Sequence, residues 1–381
     1  MHSCPAFPLE LVDHILGYLK DSQSTLSACA LVSQRWSPFA QQHLFDSTKI
    51  TRHNITRLSH AVSTNPHLQR YIRTLHVADY GSGMALSQAI PHLLVFQNCR
   101  LISSLELDGL ESITPEMACF IQSAFPQITT LKCSNTLFQT GRQLAVFLSS
   151  FQSLKDLQLR NVDFFMTMGD FADPVSSRIS AHLSVFKADM RYKYQVSWLN
   201  DWVTQQEPPL LHSLLLPRLP DAGRLSSQDS PVSPCVKSVQ ELEIQSCVMD
   251  SATISKDTSF NLQPYTQLRR LHLRQLNCSD IDFATSSKCT VLSRIVSGIE
   301  STCMQEIDLD LTAADGWDVD ELDWAEMDRL LDAKRFSSLQ HLNVTVQCGS
   351  SFFDFEPLIR GWLPRCEARG VLAVRAVKEI R

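Results

Sequence analysis

A short strand-like pattern recurs along most of this sequence and limits what the chain can fold into. The pattern is an aliphatic residue, two variable residues, an aliphatic, one variable residue and a third aliphatic. Residues that alternate in this way are typical of β-strands that bury one face. The chain must therefore place many similar strands against a common hydrophobic core. The clearest copies are Leu101–Leu107, Leu154–Leu159, Val239–Ile244 and Leu268–Leu273.

The middle aliphatic residue of each copy serves as an anchor, and the anchors are almost evenly spaced. They fall at positions 75, 105, 131, 157, 214, 242, 271, 307 and 342. The interval between 157 and 214 is about twice as long as the others, and Leu183–Val185 occupies the missing position. One further interval after the anchor at 342 predicts a strand at Leu372–Val374. A repeat of this length and pattern is typical of a leucine-rich-repeat solenoid. We therefore predict an α/β fold, a leucine-rich-repeat-like solenoid with a curved parallel sheet and convex helices.

The segments between the strands predict the helices of this solenoid. Four of them carry apolar residues at i, i+3, i+4 and i+7, which places those residues on one helical face. Thr114, Pro115 and Glu116 supply a cap, a proline and an acid suited to a helix start. The four apolar sets are Leu86, Ala89, Ile90 and Leu93; Met117, Phe120, Ile121 and Ala124; Leu144, Phe147, Leu148 and Phe151; and Leu292, Ile295, Val296 and Ile299.

Three stretches interrupt the repeat without ending it. They lie near 164–182, 217–238 and 249–266, and the second is rich in Pro, Ser and Asp. Because the strand pattern resumes after each, we interpret them as insertions within repeats. The predicted domains are therefore a helical module at 1–46 and a solenoid at 47–381.

The stretch 306–328 carries ten acidic residues and no Lys or Arg. It lacks the glycine that an EF-hand calcium loop requires, so we predict no metal site there. Trp324, Met327, Leu330 and Leu331 fit one face of a helix, and the simplest interpretation puts the carboxylates on its solvated face and first turn. A basic partner is the alternative.

The first fifty residues differ from the repeats and predict three short helices. Apolar residues recur at helical spacing in 8–19, 22–32 and 38–45, and Trp36 stands between the second and third segments. Three helices of this length bury little area, yet they carry more apolar side chains than such a bundle can hide. We therefore expect this module to dock on the solenoid or on another protein.

The residues of this module, taken in sequence order, resemble the pattern of the F-box family. That family has a leucine-proline-x-glutamate start, a helix with paired aliphatic residues, and a leucine-valine-x-x-x-tryptophan segment. Phe7 replaces the usual leucine and Ser33 stands where cysteine is frequent, whereas the segment 42–45 looks like the ending of fungal F-box proteins. The resemblance covers about one eighth of the chain.

This resemblance implies that the module binds the Skp-type adaptor of a cullin–RING ubiquitin ligase. Apolar side chains at helical spacing and a tryptophan anchor suit the burial of a partner helix. Alternatively, Leu16, Leu19, Leu26 and Val32 form only the core of the module. The residues implied to bind the adaptor are Pro8, Leu9, Ile15, Leu16, Leu31, Val32 and Trp36.

Composition and motifs argue against several other classes of protein. The net charge of −6 disfavours a nucleic-acid-binding surface, and no apolar run is long enough to predict a membrane span or a signal peptide. The twelve cysteines show no metal-like or disulfide-like spacing, which favours free thiols in the cytoplasm or nucleus. No catalytic, cofactor or metal motif is present, and an enzyme with a dispersed site is the least favoured hypothesis.

We therefore expect a non-catalytic, substrate-recognition subunit of a Skp–cullin–F-box ubiquitin ligase, with the solenoid binding an unknown protein target. The alternative is a leucine-rich-repeat scaffold that uses its helical module only as a cap and does not act through a ligase. Target recognition is expected at the variable strand positions of the concave face. They include Glu106, Asp108, Lys132, Gln158, Arg160, Glu243, Gln245, His272, Arg274, Asp308 and Asp310.

Overall fold

The structure is a computed structural model of the 381-residue chain. It describes residues 8–78, 90–110, 113–164, 179–190, 195, 198, 211–218, 237–246, 262–277, 289–313, 316–348 and 354–378. The chain forms two compact units, one of residues 1–183 and 190–202 and the other of residues 184–189 and 203–381. The predicted insertions near 164–182, 217–238 and 249–266 fall mainly outside the described residues.

The first unit begins with three ten-residue helices, α1 (Leu9–Tyr18), α2 (Gln23–Val32) and α3 (Ser37–Asp46). Pro8 precedes α1 with φ −58°, a value that proline favours and that leads directly into a helix. Helix α3 has its proline in the first turn, where the missing N–H has no acceptor to lose. These helices lie where the sequence predicted them, and they are compatible with an F-box.

The same unit continues with strands that pair in parallel in the order β1–β2–β3–β4–β6. A short strand, β5, pairs with the end of β6. The strands are β1 (Ser47–Ile50), β2 (Thr74–Ala78), β3 (Ser104–Asp108), β4 (Thr130–Ser134), β5 (Leu137–Phe138) and β6 (Asp156–Phe164). The helices between them are α4 (Ile55–Thr64), α5 (Ile90–Leu93), α6 (Pro115–Ala124) and α7 (Gly141–Ser149), with 3-10 segments at Pro66–Arg70 and Leu94–Asn98.

The second unit repeats the same arrangement, with β7 to β13 paired in parallel in chain order. Its strands are β7 (Val185–Met190), β8 (Ser213–Arg218), β9 (Glu241–Ser246), β10 (Arg270–Asn277), β11 (Glu306–Ala313), β12 (His341–Cys348) and β13 (Leu372–Lys378). Its described helices are α8 (Val291–Ser297), α9 (Gly316–Asp320), α10 (Trp324–Leu331), α11 (Phe355–Trp362) and α12 (Pro364–Ala368), with a 3-10 segment at Lys334–Phe336.

The register of the strands confirms the predicted repeat. Leu105 is aligned with Leu131, and Leu131 with Leu157, so each anchor lies beside the anchor of the next repeat. The same holds for Leu271 and Ile307 in the second unit. All five anchor side chains are buried, whereas the strand residues directly before and after each anchor are partly or fully exposed. The predicted fold class, an α/β leucine-rich-repeat-like fold with a parallel sheet, is confirmed.

Three strands differ from the prediction: β1 and the two-residue β5 were not predicted, and β7 was predicted in another register. The repeat assigned to Leu183–Val185 has its anchor at Phe186, which is aligned with Leu214, so the predicted register was three residues too early. Leu183 instead holds the first apolar position of that repeat. Strand β1 was missed because a polar residue, Thr48, holds its anchor position beside Leu75. The Thr48 hydroxyl is satisfied there because it donates to the Phe45 carbonyl at 2.9 Å.

The predicted helices are present wherever the structure describes them. Thr114 caps α6 by accepting from the Met117 N–H at 3.3 Å, as its position before Pro115 predicted. Ile90 and Leu93 lie in α5, whereas Leu86 and Ala89 fall outside the described residues. The other two apolar sets start within α7 and α8 and end just beyond them, at Phe151 and Ile299, which are buried.

The interpretation of the acidic stretch as a solvated face is wrong for several of its carboxylates. Asp328 lies in α10 but is buried, and its two oxygens accept from the Arg365 and Cys366 backbone N–H groups, both at 3.1 Å. The carboxylate thus caps α12 in the next repeat. Burial, and secondarily this carboxylate, raises the pKa of the Cys366 thiol to about 12. Asp308 and Asp310 lie on β11, where they contact basic side chains of β10.

The residue four positions after the anchor adopts a left-handed conformation in several repeats. Gly109, Asn135, Asn161 and Gln275 have φ values of 66°, 50°, 51° and 50°. Glycine and, less readily, asparagine tolerate this region, whereas glutamine does so at a cost of about 1–2 kcal/mol. At Gln275 the pairing of β10 with β11 also shifts register. This bulge is therefore a strained point in the second unit.

We predict that Gln275→Gly stabilises the second unit by about 1 kcal/mol, because glycine relieves the left-handed strain. Gln347, on β12, is an exposed residue without positive φ and provides the matched control. Gln347→Gly should destabilise by about 0.5–1 kcal/mol. Native-state amide exchange of β10 to β12 in the full chain measures both effects. Equal destabilisation by the two substitutions would contradict the strain at Gln275.

Candidate protein-binding surfaces

The helical module has a small core of its own. Val12, Leu16, Leu26 and Ala40 come from all three helices and are almost completely buried. Helix α3 packs against both α1 and α2. Full burial of a leucine contributes about 1.5–3 kcal/mol, so this core holds the three helices together only modestly. The residues packed around it are Leu19, Cys29, Ala30, Trp36, Phe39 and Leu44.

The outer face of α1 is apolar and exposed. Leu11, Ile15 and Tyr18 occur at i, i+4 and i+7, so their side chains lie along one side of the helix. Tyr18 is 77% exposed. Pro8 precedes them on the same side by spacing and is also exposed. The adjacent side of α1 carries Val12 and Leu16, which fill the core.

The end of α2 adds the two most exposed aliphatic residues of the module. Leu31 is 88% exposed and Val32 is 68% exposed. The helix ends there because Ser33 adopts an extended conformation, with φ −156° and ψ 154°. The chain then turns, and the Trp36 backbone N–H donates to the Ser33 hydroxyl at 3.2 Å. The turn leaves Leu31 and Val32 uncovered and directs Trp36 toward the core.

The residues implied to bind an adaptor thus divide into three groups by exposure. Ile15, Leu31 and Val32 are exposed on the module, together with Pro8. Leu16 is fully buried, so it belongs to the core and can support a surface only by holding α1 in place. Leu9 and Trp36 are partly buried. The alternative prediction that Val32 forms part of the core is wrong.

Sequence reasoning missed two exposed apolar residues on α1. Leu11 is 47% exposed, and Tyr18 is the most exposed aromatic among residues 8–46. The helical spacing from Ile15 carried this information, because residues four before and three after it share its face. We define Leu11, Ile15, Tyr18, Leu31 and Val32 as the apolar surface of the module.

A polar contact between helices fixes the orientation of this surface. His43 on α3 places its Nε2 2.9 Å from Oδ1 of Asp13 on α1. Asp13 lies between Leu11 and Ile15 in sequence, on the side of α1 that meets α3. The contact therefore helps keep the apolar face of α1 directed away from α3.

Helix α3 also joins the module to the first repeat. It runs directly into β1 without a linker and packs near the 3-10 segment Pro66–Arg70. The Arg73 backbone N–H donates to the Asp46 carbonyl at 3.0 Å. The module therefore meets the first repeat through α3, and its apolar surface is on the other two helices. The predicted domain boundary at residue 46 stays a prediction.

The strand face of the first unit carries aligned polar residues. Glu106, Lys132 and Gln158 lie side by side on adjacent strands, and Lys132 Nζ is 2.7 Å from Glu106 Oε1. At the strand ends, Asn161 donates to Asn135 at 2.8 Å and Asn135 donates to Asp108 at 3.0 Å. These contacts pair most of the polar groups with each other.

The strand face of the second unit carries a denser set of charges, which we call the charge ladder. Strand β10 contributes the bases in the middle, and β9 and β11 contribute acids on both sides. Arg270 lies 3.5 Å from Glu306, and Arg274 lies 2.5 Å from Asp310. Lys187 on β7 reaches Glu243 at 3.8 Å. The members of the ladder are Lys187, Glu241, Glu243, Arg270, His272, Arg274, Glu306, Asp308 and Asp310.

The centre of the charge ladder is the contact between His272 and Asp308, at 2.6 Å. The hydrogen bond to Asp308 raises the pKa of His272, against the opposing effect of burial. Burial works against ionisation of Asp308, but hydrogen bonds from His272 and Asn343 outweigh it and lower the pKa of Asp308. Each partner therefore stabilises the charged form of the other.

The predicted variable positions do face away from the core wherever their side chains are described. The structure brings Glu243, His272, Arg274, Asp308 and Asp310 together in the charge ladder. The side chain of Gln245 lies outside the described part of the chain. Within the described ranges, no three His, Cys, Asp or Glu side chains are arranged to hold a metal ion. None of the described helices combines the length and apolar character needed to cross a bilayer.

Comparison with known proteins gives no family for this chain. No protein-family model matches it, and no curated protein matches its sequence. Two solved structures show a distant likeness. The leucine-rich repeat domain of APL1B has 13% identity and a TM-score of 0.26, over 100% of this chain and 75% of that chain. The LRIM1/APL1C complex has 14% identity and a TM-score of 0.30, over 84% of this chain and 57% of that chain. Likenesses this weak do not bear on function.

We predict that the apolar surface contributes little to the stability of the isolated chain. Leu31→Lys, at the C-terminal end of α2 where a cation is favourable, should change stability by less than about 0.5 kcal/mol. Leu26→Ala removes a core side chain and should cost about 2–5 kcal/mol. Amide exchange of residues 8–46 in the full chain measures the difference. A comparable loss in both variants would mean that Leu31 is packed in solution.

Proposed function

We propose that this protein is a substrate-recognition subunit of a Skp–cullin–F-box ubiquitin ligase. In this proposal, the helical module binds the Skp-type adaptor and the repeats bind a protein target. The protein contributes binding and positioning, and the chemistry of ubiquitin transfer belongs to other subunits. Its contribution to rate is the effective concentration of a target held near a charged conjugating enzyme.

The observation that carries the proposal is the apolar surface of the module. Five large apolar side chains stay exposed although the module has a complete core and a separate contact with the first repeat. Leu31 and Val32 occupy the positions of the leucine-valine pair of the F-box pattern. Leu11, Ile15 and Tyr18 lie along one helical face, and an exposed apolar face of this kind is typical of a site that another protein covers.

The chemistry of the surface fits a helical partner with apolar side chains. Leu11, Ile15 and Tyr18 follow the i, i+4, i+7 spacing of helix-to-helix contacts. Burying Leu31 and Val32 on binding would contribute about 1.5–3 kcal/mol for each side chain. A few such anchors dominate the free energy of typical interfaces. Buried Leu16 and partly buried Trp36 support them by fixing the helices.

The repeats supply the target-binding part of the proposal. Parallel repeats of this kind present a row of variable side chains from each strand, and the charge ladder is the densest such set in the described residues. The ladder combines acids and bases, so it would favour a protein target with both signs of charge over a nucleic acid or a membrane. The free thiols of Cys99, Cys133 and Cys366 are buried, which suits a cytoplasmic or nuclear location.

A second function is favoured by the contacts of α3. This helix covers the first repeat through β1 and the Arg73–Asp46 hydrogen bond, as the cap of a repeat array must. A scaffold protein that never meets a ligase would need nothing more from the module. Such a role leaves the exposed leucine and valine of α2 without a purpose, so we rank it second.

Co-purification with a Skp-type adaptor tests the proposal. We expect the full chain to form a stable complex, and we expect the double substitution Leu31→Lys and Val32→Lys to reduce the affinity at least 100-fold. That factor corresponds to the loss of two buried aliphatic anchors. Leu94→Lys is the matched control, because Leu94 is an exposed leucine of the repeats at 47%. Size-exclusion chromatography and calorimetry measure the complex.

Three results would contradict the ligase proposal. The first is the absence of a complex with the intact, folded chain. The second is a complex that survives both lysine substitutions, since the apolar surface would then have no part in it. The third is an equal loss of affinity in the double variant and in the Leu94→Lys control, which would show that the helical module is not the binding site.

A further inference from the structure

We propose that His272 is a proton-sensing residue that links β9, β10 and β11 when it is protonated. The inference concerns the fold of the second unit and does not depend on the proposed ligase function. It begins from the geometry of the imidazole, which lies at the centre of the charge ladder.

Both ring nitrogens of His272 face carboxylate oxygens. Nδ1 lies 2.6 Å from Oδ2 of Asp308, and Nε2 lies 3.5 Å from Oε1 of Glu241. A neutral imidazole has one N–H and can serve only one of these acceptors, whereas the imidazolium has two N–H groups. The arrangement therefore fits the protonated form, with one carboxylate on each neighbouring strand.

The surroundings of His272 favour this form further. Its side chain is only 13% exposed, so solvent screens the two contacts weakly. Asn343 on β12 donates to Asp308 at 2.7 Å and holds that carboxylate in place. The arrangement raises the pKa of His272 because the hydrogen bond and charge of Asp308 outweigh the effect of burial.

Other charged groups surround His272 on its own strand and on both neighbouring strands. Acids flank it on both neighbouring strands, and arginines lie two residues away on its own strand. His341 on β12 is the remaining titratable group and has no contact with His272 among the interactions described. The flanking groups are Glu241 and Glu243 on β9, Arg270 and Arg274 on β10, and Glu306, Asp308 and Asp310 on β11.

The raised pKa of His272 determines how the stability of β9, β10 and β11 changes with pH. The pKa of His272 is raised in the folded chain, so its stabilisation of the three strands is complete below the ordinary value near 6.5. The stabilisation is lost as the pH rises through the folded value. Deprotonation also makes the charge ladder one unit more negative. The three strands should thus be held more tightly at pH 6 than at pH 8.

Histidine C2-hydrogen exchange, followed by mass spectrometry of the full chain, measures the titration of His272 directly. We expect a midpoint above 6.5 in the wild type. Asp308→Asn should lower the midpoint, because it removes the charged acceptor of Nδ1. Asp310→Asn is the matched control, because Asp310 pairs with Arg274 and not with His272. It should leave the midpoint near its wild-type value.

A second measurement does not need the Asp308 variant to fold. Amide exchange of residues 268–277 in the wild type, corrected for intrinsic rates, should show severalfold more frequent opening at pH 8 than at pH 6. His272→Gln should abolish the difference while leaving His341 in place. A wild-type midpoint at or below 6.5, a midpoint unmoved by Asp308→Asn, or pH-independent opening would each overturn the proposal.

Discussion

The stacking of aliphatic side chains from one parallel strand to the next is the interaction on which the rest of the structure depends. Leu105, Leu131 and Leu157 lie in register and are fully buried, and each contributes about 1.5–3 kcal/mol relative to exposure. Because each repeat packs only on its neighbours, this stacking must continue through the array or end against a cap. The stacking also leaves the alternate strand positions exposed. The register that aligns the buried leucines therefore also aligns the charged residues of the strand face.

The helical module is built differently from the repeats. Its core consists of Val12, Leu16, Leu26 and Ala40, and α3 contacts the first repeat. Helix α1 and the end of α2 are left with an apolar surface that neither core needs. The charge ladder differs from this surface, because its exposed side chains are polar and form ion pairs with one another. The module thus exposes apolar area, whereas the strand face exposes charged groups that are paired with one another.

Much of the fold could be predicted from sequence because aliphatic residues at strand spacing have one good arrangement. The strand at Thr48 was not predicted because its polar anchor is stabilised by a hydrogen bond to a backbone carbonyl, which the sequence pattern does not reveal. The anchor at Phe186 was predicted three residues too early because Leu183 and Val185 match part of the repeat pattern. Asp328 could not be placed, since its partners are backbone N–H groups 37 and 38 residues away. Helical spacing likewise identified Ile15, Leu16, Leu31 and Val32 but not Leu11 and Tyr18, and it could not decide that Leu16 is buried and Val32 exposed.

We propose that the apolar surface of the helical module binds a partner protein. Amide exchange of the full chain, with and without a purified Skp-type adaptor at saturating concentration, is the most direct measurement of such binding. Bound adaptor should protect the amides of residues 9–18 and 24–36 and leave the exchange of β2 to β4 unchanged. Unchanged exchange in both helical segments, or protection confined to the strands, would contradict the proposal.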